Sequence, residues 1–278
     1  MSNSGKEARV VLITGASSGI GKMCASHLHR LGYRVYGTSR RAAVAGSAEN
    51  GFALIPMDVT SEPSIVSALE LIMAREGRID IVINNAGNGI AGAIEDTTIA
   101  EAQEQLDTNF FGTLRVCRNV LPLLRRQKRS YLINISSIGG IIGIPFQGLY
   151  SASKFAIEGM SEVLATEVKS QGVNVVLVEP GDFRTGFSAE RRIVANALKP
   201  TIYSKHCEAA LKVMEADELG GSTPEPIARM IERIVNMRSP KLRYMVGPTV
   251  QKLSVSIFKK LLPQKLFQLF IMKYYKIA

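Results

Sequence analysis

The sequence predicts an α/β protein, a single domain on a doubly wound parallel sheet of about seven strands with helices on both faces. Three observations lead there. Short β-rich runs alternate with longer helical patterns along the chain; several of the runs are apolar throughout, as in strands covered on both faces; and a glycine-rich turn joins the first run to the first helix. The runs occupy residues 9–14, 33–38, 52–57, 79–84, 131–136, 173–179 and 243–247, with helical patterns over 19–31, 61–75, 99–126, 149–171 and 224–237. Such alternation calls for right-handed crossovers between parallel strands. No internal repeat or low-complexity linker divides residues 1–278, so one domain is expected.

Composition narrows the class. Of 278 residues, 46% are hydrophobic, ample for a large core. Cys24, Cys117 and Cys207 are odd in number, widely spaced and without a Cys-x-x-Cys pair, which argues against a disulfide framework or a zinc site and for reduced thiols in a cytoplasmic protein. His27, His29 and His206 make no ligand-like set beyond the neighbours on the first helix, and no metal is expected. Residues 1–9 are polar and charged, unlike a signal peptide. No apolar run reaches the roughly 18 residues of a membrane span, so a soluble or surface-attached protein is expected. The formal net charge of +10 has no nucleic-acid motif beside it; a phosphate-bearing cofactor and an anionic surface account for it better.

The first turn reads Thr14-Gly15-Ala16-Ser17-Ser18-Gly19-Ile20-Gly21. Glycines there let the backbone approach a pyrophosphate, and the helix N-terminus offers free N–H donors and the positive end of its dipole. Ser17 and Ser18 can add hydroxyl donors. At the end of the second strand, where a carboxylate would hold the ribose 2′-hydroxyl of NAD, the chain has Ser39, Arg40 and Arg41. An arginine fork grips a 2′-phosphate that a carboxylate would repel, so NADP(H) is expected ahead of NAD(H).

Tyr150 and Lys154 stand four residues apart in a helical pattern, which puts a phenol and an ammonium on one face. The spacing predicts that the lysine lowers the phenol pKa towards working pH and makes Tyr150 a general acid or base.

Taken in order, TGASSGIG, NNAG, a serine and YSASK resemble the short-chain dehydrogenase/reductase superfamily over roughly residues 9 to 185. The resemblance implies a Rossmann fold and the following roles. Asp58, with Val59 after it, corresponds to the aspartate that contacts the adenine amine. Asn85, Ala86 and Gly87, after Asn84, belong to the segment that closes the cofactor site. Asn109 matches the asparagine whose helix kink seats a water in a proton relay. Pro180, Gly181 and Thr185 match the turn that receives the nicotinamide carboxamide, and Lys154 also binds the nicotinamide ribose. Ser137, thirteen residues before Tyr150 as in the family, is preferred to Ser136 as the hydroxyl that stabilises the developing oxyanion, with Tyr150 supplying the proton. The expected activity is reduction of a ketone or oxidation of a secondary alcohol. A cofactor-sensing protein without turnover and an NAD-dependent alcohol dehydrogenase are the alternatives.

Candidate pocket walls, residues 89–92 and 138–146 with Phe183 and Phe187, are mostly apolar and suit a lipid-like or steroid-like carbonyl. Residues 185–222 resemble the family's variable substrate loop. Arg184, Arg191 and Arg192 can meet an anionic head group, although surface positions are the expectation for all three. The tail, residues 250–278, carries Lys252, Lys259, Lys260, Lys265, Lys273 and Lys276 and no acid, interleaved with apolar residues and broken by Pro263. It suits peripheral contact at the inner membrane surface or a cover over the substrate site or a subunit interface; both readings stay open. Tail and motifs are most similar to the 17β-hydroxysteroid-dehydrogenase-like branch, and reductases of long-chain keto-lipids share the layout. A homodimer or tetramer is implied by the family's habit of pairing the helices over 99–126 and 149–171.

Overall fold

The computed structural model describes residues 8–42 and 51–278; residues 1–7, part of the polar stretch read above, lie outside the described residues. The chain begins β1 (Val10–Ile13), α1 (Gly19–Arg30), β2 (Arg34–Ser39), β3 (Ala53–Pro56), α2 (Glu62–Glu76), β4 (Ile81–Asn84) and β5 (Ile90–Ala91). It continues α3 (Ile99–Leu106), α4 (Gly112–Leu124), β6 (Ser130–Ile135), α5 (Gly148–Glu167), β7 (Val173–Pro180), α6 (Phe187–Glu190) and β8 (Arg192–Ile193). The last elements are α7 (Ser204–Gly220), α8 (Glu225–Asn236), β9 (Arg243–Val246), α9 (Thr249–Leu253), α10 (Lys259–Leu261) and α11 (Gln264–Tyr274).

Alternate side chains of β1 enter two different cores. Val11 and Ile13 join Cys24 and Leu28 of α1 and Ile227 and Ile231 of α8. Val10 and Leu12 join Ile65 and Ile72 of α2 and Val116 and Val120 of α4. A strand buried on both faces in this way has no position for a polar residue, which is why the run is apolar throughout. The seven parallel strands lie in the order β3-β2-β1-β4-β6-β7-β9, with Val11 of β1 opposite Val35 on one side and Ile81 on the other. Strand order therefore reverses at β1, and the crevice beyond the C-terminal ends of β1 and β4 is where a doubly wound sheet takes its ligand.

Local chemistry sets the helix ends. Ser61 caps α2 and Gly77, in the left-handed region at φ 68°, ends it. At the start of α3, Thr98 and Glu101 form a reciprocal capping box. The single helix expected over 99–126 is interrupted: α3 passes through a π turn (Asp107–Phe111) before α4, and the Thr113 hydroxyl donates to the Asn109 carbonyl (2.7 Å) within it. The expected strand 131–136 is shifted by one residue, and α5 stops at Glu167 ahead of a 3₁₀ turn and Gly172.

The region 185–222 holds more order than a loop. Helix α7 is 17 residues long, yet only Cys207, Ala210 and Met214 on it are buried, a stripe too narrow to stand out in the sequence. The tail divides at Pro263 as expected, and it folds back. Val255 packs with Ile138 and Ile142, while Ile271 and Tyr275 pack with Ala210 and Met214 of α7.

Candidate functional site

A cleft of about 420 Å³ opens at the C-terminal edge of the sheet. Its floor is the turn between β1 and α1. A Cβ at Gly15 would lie 2.9 Å from the Ala86 Cα, and one at Gly21 would strike the Gly15 carbonyl, so both positions are closed to any side chain. Gly15, Ser17, Ser18, Gly19 and Ile20 face the cleft, whereas Gly21 lies behind it and sets the closeness of helix and turn. The two loops are tied together. Thr14 Oγ1 accepts from the backbone N–H groups of Asn85 and Ala86 (both 2.9 Å), and Asn85 Nδ2 donates to the carbonyls of Thr14 and Gly15 (2.9 and 3.0 Å). Asn85, Ala86 and Gly87 line the cleft.

At the far end, Ser39 is buried and accepts from the Arg41 N–H (3.2 Å), while Arg40 and Arg41 are exposed on the cleft wall. Asp58 and Val59 follow β3 on the same wall. One Asp58 oxygen accepts from both the N–H and the hydroxyl of Thr60 (2.9 and 2.8 Å), which fixes the turn. Pro180, Gly181 and Thr185 border the cleft after β7.

Ser137, Tyr150 and Lys154, the expected catalytic residues, line the same cleft between β6 and α5. Ser137 follows β6 and caps a 3₁₀ turn, its Oγ accepting from the Gly139 N–H (3.0 Å). Tyr150 and Lys154, one turn apart on α5, are both buried, and the Lys154 Nζ lies 5.8 Å from the Tyr150 ring centroid. It donates to the Ile135 carbonyl at 2.9 Å. Asn109, fully buried in the π turn, lies outside the cleft wall: Nδ2 donates to the Asn88 carbonyl and to Ser153 Oγ (both 3.0 Å), and Oδ1 accepts from the Asn88 N–H (3.0 Å). Asn88 and Ser153 carry no signal of their own in the sequence, because their roles arise only when α5 meets the loop after β4.

The expected electrostatics are reversed. Burial pushes the Tyr150 phenol up to about 12, and a hydrogen bond from Ser137 opposes that rise without overcoming it. Burial also pushes Lys154 down to about 8. Helix spacing brings the lysine close, but for the phenol loss of water outweighs the Ser137 hydrogen bond and the charge of Arg191, which both lower its pKa.

The substrate side also departs from the sequence reading. Phe187 of α6 sets its ring 5.6 Å from that of Tyr150, and Ile138 and Ile144 add apolar wall. Three carboxylates, Asp182, Glu190 and Glu218, line the cleft as well, so the wall is less apolar than expected. Burial pushes Asp182 up to about 6, opposed by its hydrogen bond from Gln251 of the tail. Arg184 and Arg192 are exposed as expected, but Arg191 is buried, ion-paired with Glu218 and stacked 5.6 Å from the centre of the Phe187 ring. The sequence predicts a surface position for it; the fold of 185–222 turns it inward.

Among the described residues no group of three or more His, Cys, Asp or Glu side chains could hold a metal ion, and no helix is long and apolar enough to cross a membrane. His27, rather than pairing with His29, meets Glu232 of α8 at 2.8 Å.

The chain is similar to known proteins in sequence and in fold. A family profile described as short chain dehydrogenase matches residues 9–194. The chain is 44% identical over 273 residues to a 3-ketodihydrosphingosine reductase of Bacteroides thetaiotaomicron, covering 98% of this chain and 99% of that one. It is 32% identical over 252 residues to retinol dehydrogenase 8 of Bos taurus, covering 84% and 80%. A short-chain dehydrogenase from Streptomyces avermitilis superposes with a TM-score of 0.79 at 28% identity over 98% of both chains. The chain belongs to the short-chain dehydrogenase/reductase superfamily, oxidoreductases that act on CH–OH and C=O groups.

Proposed function

We propose that the protein is an NADPH-dependent reductase of a hydrophobic, lipid-like ketone such as a long-chain 3-keto compound. The observation that carries the reading is the meeting of Ser137, Tyr150 and Lys154 at one cleft, with a phenol that burial keeps protonated. A protonated phenol is an acid, and carbonyl reduction needs one.

The cradle fits a dinucleotide. A Cβ at Gly15 would meet Ala86, so bare backbone faces the cleft there and lets a pyrophosphate approach, and Arg40 and Arg41 offer two exposed guanidiniums on the cleft wall. When bound, the dinucleotide supplies the hydride. Ser137 donates a hydrogen bond to the carbonyl oxygen as negative charge grows there, and Tyr150 gives that oxygen its proton. Lys154, as in the family, holds the ribose hydroxyls. Asp58 and Val59 take the adenine end, Asn85 to Gly87 and Pro180, Gly181 and Thr185 the nicotinamide end, and Asn109 steadies the return path for the proton through its contact with α5.

Residues 185–222 serve as the substrate loop. A lipid-like ketone is supported by the apolar wall of Phe187, Ile138 and Ile144 and by the names of the relatives that match most of the chain. The tail supports a cytoplasmic protein in peripheral contact with an anionic membrane: one face packs on the substrate side, and Leu253, Phe258, Leu261, Leu266 and Leu269 are exposed between lysines with no acid among them. Exposed Phe111, Phe155 and Val163 on and beside α4 and α5 favour a homodimer or tetramer through those helices.

The purified protein, given a long-chain 3-keto substrate, is expected to oxidise NADPH in preference to NADH. NADPH binding with no turnover on long-chain, steroid or simple ketones would contradict the reading.

A further inference from the structure

We propose that Gln147 is a specificity-determining residue: its side-chain amide takes a second, uncharged oxygen of the substrate, a hydroxyl or carbonyl set two carbons from the ketone. The residue lines the cleft with Ser137 and Tyr150, yet only 4% of it is exposed, and its Nε2 is buried without a hydrogen-bond partner among the described residues. Buried donors are as a rule paired, and one left over at a cleft wall calls for a ligand that completes it.

The local chain fixes where the amide stands. Phe146, just before it, sits in the left-handed region at φ 58°, a strained conformation for a bulky side chain. Its turn is tied down on two sides: the Gly92 N–H donates to the Phe146 carbonyl (2.9 Å), and the Ile144 N–H donates to Ser151 Oγ (3.1 Å). The Gln147 backbone is fully used, its N–H donating to the Ile144 carbonyl (3.1 Å) and its carbonyl accepting from the Ser151 N–H (2.9 Å). The side-chain Nε2 is what remains. Gln147 caps α5 three residues before Tyr150, and Lys154 stands four residues after it, so the three share the helix face that meets the cleft. Lys154 is assigned to the nicotinamide ribose, which puts Gln147 on the opposite, substrate side of the phenol. A three-residue advance along a helix is about 4.5 Å, close to the separation of two oxygens on carbons two apart. A terminal amide turns readily about its last bond, so its donor can swing to a ligand.

The charges nearby select the kind of group. An ammonium has no lone pair to accept from Nε2. A carboxylate or phosphate would face Asp182, Glu190 and Glu218, which line the same cleft, while Arg191 is paired to Glu218. An uncharged oxygen accepts without that repulsion. Ile138, Ile144 and Phe187 in the same cleft offer no substitute partner, so a chain that lacks the oxygen leaves the amide unpaired and is disfavoured.

The proposal rests on the reading above in taking the substrate to be a ketone, and binding without turnover separates the two. The full chain with the oxidised dinucleotide bound is titrated with a twelve-carbon ketone whose carbonyl is the third carbon, and with the same ketone bearing a hydroxyl on the first. The hydroxy ketone is expected to bind roughly tenfold more tightly, and the side-chain amide resonance of Gln147, assigned by its loss in Gln147→Met, to move with it alone. In Gln147→Met the two affinities should become equal. Should that variant not fold, Gln147→Asn, which withdraws the amide by one methylene, is expected to lose most of the preference. Equal binding of the two ketones by the parent overturns the proposal, as does a preference that survives in the variant. Preferential binding with no reduction under NADPH supports the role of Gln147 and overturns the activity proposed above, so the two fail separately.

Discussion

Asn109 is bonded to α5 through Ser153: its Nδ2 donates to Ser153 Oγ at 3.0 Å, and that hydroxyl donates to the Tyr150 carbonyl at 2.7 Å. The π turn in the chain between α3 and α4 is therefore fastened to the backbone of the residue that carries the phenol. Asn109→Ala leaves the Asn88 N–H without its acceptor and takes one donor each from Ser153 Oγ and the Asn88 carbonyl, and a loss of about 1–3 kcal/mol in urea unfolding is expected. Turnover should fall more than cofactor affinity, because the contact made is with α5 and not with the dinucleotide wall. A variant of unchanged stability would show that the bonds to Asn88 and Ser153 are replaceable.

Arg191 and Glu218 form an ion pair with side-chain exposures of 2% and 13%, which makes breaking it costly. Arg191→Leu strands a carboxylate beside Asp182 and should lower unfolding stability by about 3–5 kcal/mol. The double variant Arg191→Met with Glu218→Leu removes both charges and should recover most of that loss. Equal stability of the single and double variants in denaturant titrations would count against a desolvated pair.

Cofactor choice is assigned to Arg40. Arg40→Asp replaces a donor fork with a repelling charge, and the ratio of kcat/KM for NADPH over NADH should fall roughly 10- to 100-fold. Steady-state kinetics with each dinucleotide measure it directly; an unchanged ratio removes Arg40 from the 2′-phosphate site.

The exposed tail lysines are expected to matter on lipid and not on soluble substrates. Lys265→Gln with Lys273→Gln should weaken binding to phosphatidylserine-containing vesicles roughly thirtyfold, since each lysine near an anionic surface contributes about 1 kcal/mol. Sedimentation with vesicles tests this, with neutral phosphatidylcholine vesicles as the reference. Retained binding to the anionic vesicles would point to a subunit contact as the use of that face.

The residues with fixed local geometry were legible in the sequence. The glycine turn, the helix spacing of Tyr150 and Lys154, and the two-faced burial of β1 follow from rules that act within a few residues, and all three stand as expected. What escaped depends on distant chain. Arg191 reads as a surface charge until α6 and α7 bring it to Glu218. Asp182 carries no signal of its own in the sequence; Gln251, which bonds to it, comes from the distant tail. The sign of the Tyr150 shift is not legible in the sequence for a related reason: a neighbouring charge can be counted along a helix, but burial by β6, α6 and the loop after β6 cannot.

The central claim is that a buried, neutral Tyr150 is the proton donor to a ketone. Tyr150→Phe removes that proton and leaves the cofactor wall intact, so NADPH titration by fluorescence should give nearly the parent affinity while turnover of a long-chain 3-keto substrate falls by about 10²-fold or more. Turnover within a few-fold of the parent, with NADPH still bound, would contradict it.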